Sequence, residues 1–109
     1  MADDAEDKSR KYKIGDERLC KITEKAASKF NRLLLSQNLS NGALRIAVIG
    51  GGISGLNYKI ESTNGPNSKD VLVVTKNVKL VIDFKSARFI SGSVVDLHPE
   101  TGDFEVKPQ

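Results

Sequence analysis

The spacing of apolar residues changes along the chain, from the period of a helix to the period of strands. Between Thr23 and Asn38 the apolar positions recur three and four residues apart, which predicts a helix with one buried face. Thr23 has the hydroxyl oxygen that an N-cap uses, and Ile22 before it is placed for a hydrophobic staple. The stripe expected to pack against the rest of the domain consists of Ala26, Ala27, Phe30, Leu33 and Leu34.

From Leu44 onward apolar and polar residues alternate in short runs, which are separated by polar or glycine-containing turns. One segment breaks the alternation. Asp83 to Ser91 has helical spacing, with Asp83 as the capping residue and Gly92 as the stop. The predicted strands are residues 44–49, 56–61, 71–75, 79–82, 94–97 and 104–106.

Together these elements predict an α+β fold that is mostly β. We expect a compact, largely antiparallel β-rich domain with one main helix packed on it, because almost all connections are too short for parallel crossovers. The domain is expected over residues 20–109. Residues 1–19 are polar and lack periodicity, which predicts a disordered or loosely attached tail.

Composition and charge exclude several classes of function. The 109 residues suffice for one domain, and the formal net charge of +3 is too small and too dispersed to indicate a nucleic-acid partner. No apolar run approaches the roughly 18 residues that a membrane-spanning helix needs, so no membrane partner is expected. The first residues lack the apolar core of a secretory signal, and their acidic side chains are untypical of a transit peptide. We therefore expect a cytoplasmic protein, or a mitochondrial matrix protein if a presequence has been removed.

The most unusual segment is a glycine-rich turn between two predicted strands, GGGISG over residues 50–55. Gly50, Gly52 and Gly55 satisfy the spacing of a dinucleotide-binding fingerprint, and Asp70 follows at the usual distance of its acidic residue. A dinucleotide fold would continue into a helix, whereas this turn continues into the alternating residues of a strand. A hairpin turn that uses positive φ angles is therefore the better interpretation.

Cys20 is the single cysteine, so the chain can form no intramolecular disulfide. One thiolate is too few for an iron–sulphur cluster or a structural zinc ion, although a subunit interface could supply a second copy. Arg18 and Lys21 are close in sequence, and their positive charges could lower the pKa of the thiol. The alternative is a thiol with no functional role.

The sole histidine, His98, stands between Asp96 and Glu100. On a strand all three side chains would share one face, where they could hold a metal ion through oxygen and nitrogen ligands. The alternative is an ordinary solvated face. A single histidine gives little support for acid–base chemistry, so we expect that the protein is not an enzyme.

Three segments in order resemble the HesB/IscA-like family of A-type iron–sulphur cluster carriers. The helix opening ITEKAASKF resembles the family's L/I-T-x-x-A-A-x-x-I/F. The segment LRIAVIGGGISGLNYKIE resembles its strand, a turn of the form S/G-G-C-S-G and a second strand, with matches at Gly52, Ser54, Gly55, Leu56 and Tyr58. The segment VIDFKSARFISGSVVDL resembles D-x-x-S-x-x-F/L-L/I-x-G-x-x-x-D, with matches at Asp83, Ser86, Phe89, Ile90, Gly92 and Asp96. The resemblance covers about residues 21–109 and implies the family's fold.

The departures from the family concern its cluster ligands. Where the family has a cysteine in the glycine turn, this chain has Ile53. The family's other two cysteines form a C-x-C after a segment like G-F-x-F-x-N-P, and the sequence reaches only that segment before Gln109. Truncation would account for the missing pair but not for Ile53, and Cys20 aligns with none of the three positions.

The resemblance therefore implies a protein of iron–sulphur biogenesis that has lost its ligand cysteines. We expect no bound cofactor, the ancestral one being an iron–sulphur cluster. We expect an interaction or scaffold module, either a homodimer or a heteromer with iron–sulphur assembly proteins. The alternative hypothesis is a direct iron-binding protein that uses Asp96, His98 and Glu100, or Cys20 across a dimer interface.

Overall fold

A computed structural model describes residues 12–38, 42–52 and 55–107, with the side chains of residues 51–56 left out. In chain order the elements are β1 Lys13–Ile14, β2 Cys20–Ile22, α1 Glu24–Ser36, β3 Ala43–Gly52, β4 Gly55–Thr63, β5 Asp70–Thr75, β6 Val78–Asp83, α2 Phe84–Ile90, β7 Ser93–Leu97 and β8 Phe104–Lys107. The predicted helices and strands are all present, and the α+β, mostly β fold class is confirmed.

The strands form two sheets, a five-stranded one in the order β1-β5-β6-β3-β4 and a three-stranded one in the order β2-β7-β8. Strands that are consecutive in the chain pair antiparallel as hairpins: β3 with β4, β5 with β6 and β7 with β8. The other pairs, β1 with β5, β2 with β7 and β3 with β6, are parallel. Short connections do give antiparallel pairs, but strands far apart in the sequence have enough chain between them to return in the same direction.

Helix α1 begins as predicted, because the Thr23 side chain accepts a hydrogen bond from the backbone N–H of Ala26. Phe30 is 1% exposed and meets the Phe104 ring edge to face, at 6.3 Å between ring centroids. The predicted apolar stripe is wrong for Leu33, which is 36% exposed. Helical spacing alone does not show how wide the buried face of a helix is. Here the buried face includes Leu34 but not Leu33.

The residues before β2 are attached to the larger sheet. Lys13 and Ile14 pair with Val71 and Leu72 of β5, and the hydroxyl of Thr75 donates to a carboxylate oxygen of Glu17 at 2.5 Å. The structure therefore differs from the predicted tail over residues 12–19, since a two-residue strand is too short to produce a readable alternation. Residues 1–11 of that tail lie outside the described residues.

The main hydrophobic core lies between the two sheets and α1. It joins apolar side chains from nearly every element, among them Ile22, Phe30, Leu44, Ile46, Val73, Leu80, Ile82, Ile90 and Val95. Within the described parts of the chain, no helix is both long and apolar enough to cross a membrane.

Candidate functional site: the β3–β4 hairpin and its supports

The glycine-rich segment forms the end of the β3–β4 hairpin. The pairing runs from Ala43 opposite Thr63 to Gly52 opposite Gly55, so that only two residues, Ile53 and Ser54, connect the strands. These two residues lie outside the described residues. The hairpin interpretation is confirmed, and the short connection is typical of the turns that join twisted antiparallel strands.

The outer half of this hairpin extends past its neighbour in the sheet. The parallel pairing of β3 with β6 covers only Leu44 to Ile46. The register between β3 and β4 then shifts between Val48 and Gly50, and Gly50 has a φ of +147°, a region that a side chain disfavours. The bulge therefore lies where the hairpin leaves the body of the sheet.

Ser86 and Asp83 support the hairpin at this point. Asp83 caps α2 by accepting from the backbone N–H of Ser86 at 3.3 Å, and the Ser86 hydroxyl donates to the same carboxylate. That hydroxyl oxygen also accepts from the backbone N–H of Val48 at 2.7 Å, and Ser86 is only 2% exposed. Both residues belong to the third segment of the family resemblance, so this motif ties α2 to the base of the hairpin.

The structure rejects the dinucleotide interpretation. The glycine turn leads into a strand, and Asp70, the candidate acidic residue, is 1% exposed. Asp70 accepts from both terminal nitrogens of Arg45, at 2.7 and 3.1 Å, and from the backbone N–H of Asn67 at 2.7 Å. The hydrogen bonds that Arg45 donates to Asp70 raise the pKa of the Arg45 guanidinium. Nothing in the sequence reveals this pair, because it joins strands that are not consecutive.

Cys20 is a core residue and does not meet the expectation of an activated thiol. Its side chain is 0% exposed, and burial raises the pKa of the thiol to about 12. The sequence placed Arg18 and Lys21 close to it, but Arg18 instead pairs with Asp16 at 2.9 Å, and its side chain is 92% exposed. Lys21 follows Cys20 in strand β2 and is exposed, because successive side chains of a strand point to opposite faces.

Asp96, His98 and Glu100, the candidate metal ligands, do not share one strand face. Strand β7 ends at Leu97, so His98 and Glu100 lie in the turn that follows rather than on one strand face with Asp96. The His98 Nδ1 accepts from the backbone N–H groups of Glu100 and Thr101, at 3.1 and 3.4 Å. The histidine therefore organises its own turn.

Asp96 is also occupied by protein groups. Its carboxylate accepts from the hydroxyl of Thr23 at 2.9 Å, from the backbone N–H of Leu97 at 2.8 Å and from the ammonium of Lys107 at 3.3 Å. The hydrogen bond from the Leu97 amide is the largest cause that lowers the pKa of Asp96, and the hydrogen bond from Thr23 is the next largest. In the part of the chain that the structure describes, no three His, Cys, Asp or Glu side chains gather as ligands.

Two large apolar side chains near the base of the hairpin are exposed. Ile49, next to Val48 in β3, is 62% exposed, and Phe89, one turn of helix after Ser86, is 59% exposed. The helical spacing predicted that Phe89 and Ile90 both lie in α2, but it did not show which of them is buried. In the structure Ile90 fills the core and Phe89 faces outward. The base of the hairpin therefore carries an exposed apolar side chain from β3, and α2 carries another.

Comparison with known proteins gives a consistent result. Residues 20–109 match the family described as "Iron-sulphur cluster biosynthesis". The chain is 37% identical over 81 residues to "Iron-sulfur cluster insertion protein ErpA" of Psychrobacter cryohalolentis, covering 74% of this chain and 64% of that protein. It is 36% identical over 75 residues to the ErpA protein of Hamiltonella defensa, covering 69% of this chain and 66% of that protein. The chain thus spans somewhat less than two thirds of the length of these relatives.

A solved structure is also similar. The solution NMR structure of a protein from Aquifex aeolicus superposes with a TM-score of 0.67 at 27% sequence identity, and covers 87% of this chain and 96% of that one.

Proposed function

The chain belongs to the iron–sulphur cluster biosynthesis family, and we propose that it is a degenerate A-type carrier that has lost the cluster-ligand cysteines. In this proposal the protein has no catalytic step. It acts as an interaction or scaffold module in the maturation of iron–sulphur proteins, either as a homodimer or paired with a cysteine-bearing relative or an assembly factor.

The observation that carries the proposal is the state of the thiols. An iron–sulphur cluster is held by cysteine thiolates, usually four of them. The turn position at which the family has a cysteine is Ile53 here, and the single cysteine of the 109 residues is buried with a raised pKa. The residues present therefore do not fit a cluster, and Cys20 is not at a surface where a second copy could share it.

The hairpin is the surface that we assign to partner binding. Ile49 and Phe89 are exposed on either side of the Val48–Ser86 hydrogen bond, which fixes the helix against the strand. Exposed large apolar side chains cost solvation, and a partner that covers them removes this cost. Ile53, the apolar residue of the turn, follows in the same hairpin.

Anaerobic reconstitution with iron and sulphide tests the loss of the cluster. We expect the unmodified chain to show no iron–sulphur absorption in the visible range, whereas a cysteine-bearing relative treated in parallel develops it. Ile53→Cys alone also develops none, because one turn thiolate leaves the cluster short of ligands. Adding both this cysteine and a C-x-C segment at the C-terminus restores at least weak absorption.

Binding to a cysteine-bearing relative from the same organism tests the interaction surface. Ile49→Asp and Phe89→Asp each place a charge in the apolar contact and weaken binding at least tenfold, since burying an unpaired charge is costly. Leu35→Asp is the matched control, because Leu35 is 76% exposed but lies on α1. Equal binding by all three variants would remove the hairpin from the proposal.

Direct iron binding is the rival function, and either of two outcomes would promote it. A chromophore in the unmodified protein that disappears in Cys20→Ser would show that the core opens to expose the thiol. A chromophore lost in His98→Ala or Asp96→Asn would instead assign the iron to the β7–β8 turn.

A further inference from the structure

Strand β4 is the last strand of the five-stranded sheet, and β3 is its only neighbour there. Among the residues that the structure describes, none forms a backbone hydrogen bond with residues 57–63 outside the pairing with β3. Alternate residues of a strand direct their N–H and C=O groups to the same edge. The outer edge of β4 therefore presents a row of backbone donors and acceptors to a further strand.

The two faces of β4 differ in chemistry. Tyr58 and Ile60 pack against the hydrophobic core, and Ile60 also lines a cavity of about 150 Å³ with Leu33 and Phe104. Phe104 belongs to β8, which pairs with β7 in the other sheet. On the opposite face of β4 are Lys59 and Glu61, whose side chains are 60% and 51% exposed. A strand that pairs with this edge must therefore carry apolar side chains on one face and polar ones on the other.

The charges of the edge favour a second copy of the same strand. A lysine on an edge strand ordinarily disfavours pairing between copies, since the like charges repel. Here Glu61 follows Lys59 by two residues and carries the opposite charge on the same face. Within one chain the two groups are 3.8 Å apart at an exposed position, where an ion pair contributes little. Both charges are thus available to a strand alongside.

We propose that β4 pairs antiparallel with β4 of a second copy of this chain, about a two-fold axis at Ile60. A two-fold dimer uses the same surface on both copies, so each contact occurs twice. In this register Lys59 of each copy lies opposite Glu61 of the other. The two Ile60 side chains face each other on the apolar side, next to Leu33, which is 36% exposed in the single chain.

The neighbouring registers fit less well. A two-fold axis at Lys59 places two ammonium groups opposite each other, and an axis at Glu61 does the same with two carboxylates. A shift of the pairing by a single residue puts Lys59 opposite Ile60 and mixes the polar and apolar faces. The register at Ile60 satisfies the charge pattern and the apolar pattern together.

This inference specifies the homodimer of the proposed function and rests on it in that respect. The pairing uses the outer edge of β4, so Ile49 on β3 and Phe89 on α2 lie outside the paired edge. The two hairpins point in opposite directions, with about 34 Å between the two Gly55 residues along the strands, at about 3.4 Å per residue. Each copy therefore presents its own hairpin to a separate partner.

Charge reversal tests the pairing through sedimentation of the full chain at low salt. We expect Lys59→Glu and Glu61→Lys each to weaken dimerisation at least about tenfold, because each places like charges opposite each other twice. An equimolar mixture of these two variants restores association to within a few fold of the unmodified chain, since the rows are then complementary again. The control Lys25→Glu reverses the same charge at an exposed position on α1 and leaves the dissociation constant unchanged.

Hydrogen exchange measured by NMR identifies the surface that associates. When the concentration of the unmodified chain rises through its dissociation constant, exchange slows at every second amide of residues 57–63, those that point away from β3. In Lys59→Glu at the same concentrations these amides stay unprotected. A dimer formed through another surface leaves their exchange unchanged.

The inference is overturned if the unmodified chain sediments as a monomer at on the order of 1 mM. It is also overturned if the mixed variants associate no better than either alone, or if the outer amides exchange equally fast at all concentrations. A chain that dimerises through β4 but develops an iron–sulphur chromophore retains this inference and loses the proposed function. A monomer without a chromophore loses this inference and retains the proposed loss of the cluster.

Discussion

The burial of Cys20 leads to a quantitative prediction about its reactivity. Thiols react with alkylating agents as thiolates, so the rate in the folded state depends on the folded pKa. Burial raises that pKa from its ordinary value of 9.0 to about 12. The difference corresponds to on the order of 4 kcal/mol against the charged form. At pH 8 about one folded molecule in ten thousand then carries a thiolate, against about one in ten of the unfolded chain.

We therefore expect iodoacetamide at pH 8 to modify Cys20 at least about a thousand times more slowly in the native protein than in concentrated urea. Mass spectrometry of samples quenched over time gives both rates. The raised pKa also links stability to pH. The buried, protonated thiol makes its full contribution to the free energy of unfolding below pH 9.0, the ordinary pKa. This contribution is lost as the pH rises from there through about 12, because the unfolded chain then releases the thiol proton more readily than the folded one.

Cys20→Ala provides the control, because it removes the thiol and the alkaline loss of stability that depends on it. Rapid, stoichiometric alkylation of the native wild-type chain at pH 8 would refute the assignment of Cys20 to the core. It would also reopen the thiol as a cluster or iron ligand, so this measurement bears directly on the proposed function.

Three further perturbations test the supports of the fold. Phe30→Ala removes a buried ring and its contact with Phe104, and costs on the order of 3–5 kcal/mol in the free energy of unfolding by urea, whereas a change below about 1 kcal/mol would contradict its place in the core. Ser86→Ala deprives the Val48 N–H of its acceptor, costs about 1–3 kcal/mol and speeds hydrogen exchange at that amide; unchanged exchange would show that the bond does not hold the hairpin. Asp96 has a lowered pKa, so its stabilising contribution is present above its ordinary value of 3.8 and is lost as the pH falls through the folded value; Asp96→Asn flattens this part of the stability profile, and an identical profile in both proteins would contradict the assignment.

Local patterns predicted the elements of this protein well, because caps and alternation act over a few residues. Thr23 and Asp83 were identified as N-caps from their side chains alone, and both accept the expected backbone hydrogen bonds. The parallel pairs were not predictable in this way. They join strands separated by much of the chain, and a two-residue strand such as Lys13–Ile14 has no alternation to read.

The candidate sites show a second limit, which concerns direction rather than position. The spacing of Asp96, His98 and Glu100 predicted a shared face, but β7 ends at Leu97 and the turn redirects the histidine towards its own backbone. Cys20 stood among charged residues in the sequence and yet lies in the core. The direction of a side chain depends in the first case on where the strand ends and in the second on which face of the strand is buried. Tertiary packing determines both, and the local sequence pattern does not show it.

The contacts that support the hairpin do not depend on the residues of its turn, which agrees with the proposed loss of a turn cysteine. The hydrogen bond from Val48 to Ser86 and the pairing of Leu44 to Ile46 with β6 all attach to β3 before the turn. The register of the turn itself is set by main-chain pairing of Gly52 with Gly55, which needs no particular side chain between them. A ligand cysteine in that turn is therefore separable from the contacts that hold the hairpin. In the function that we propose, Ile53 stands in place of that cysteine, and the exposed groups of the hairpin, Ile49 and Phe89, are the ones that a partner would contact.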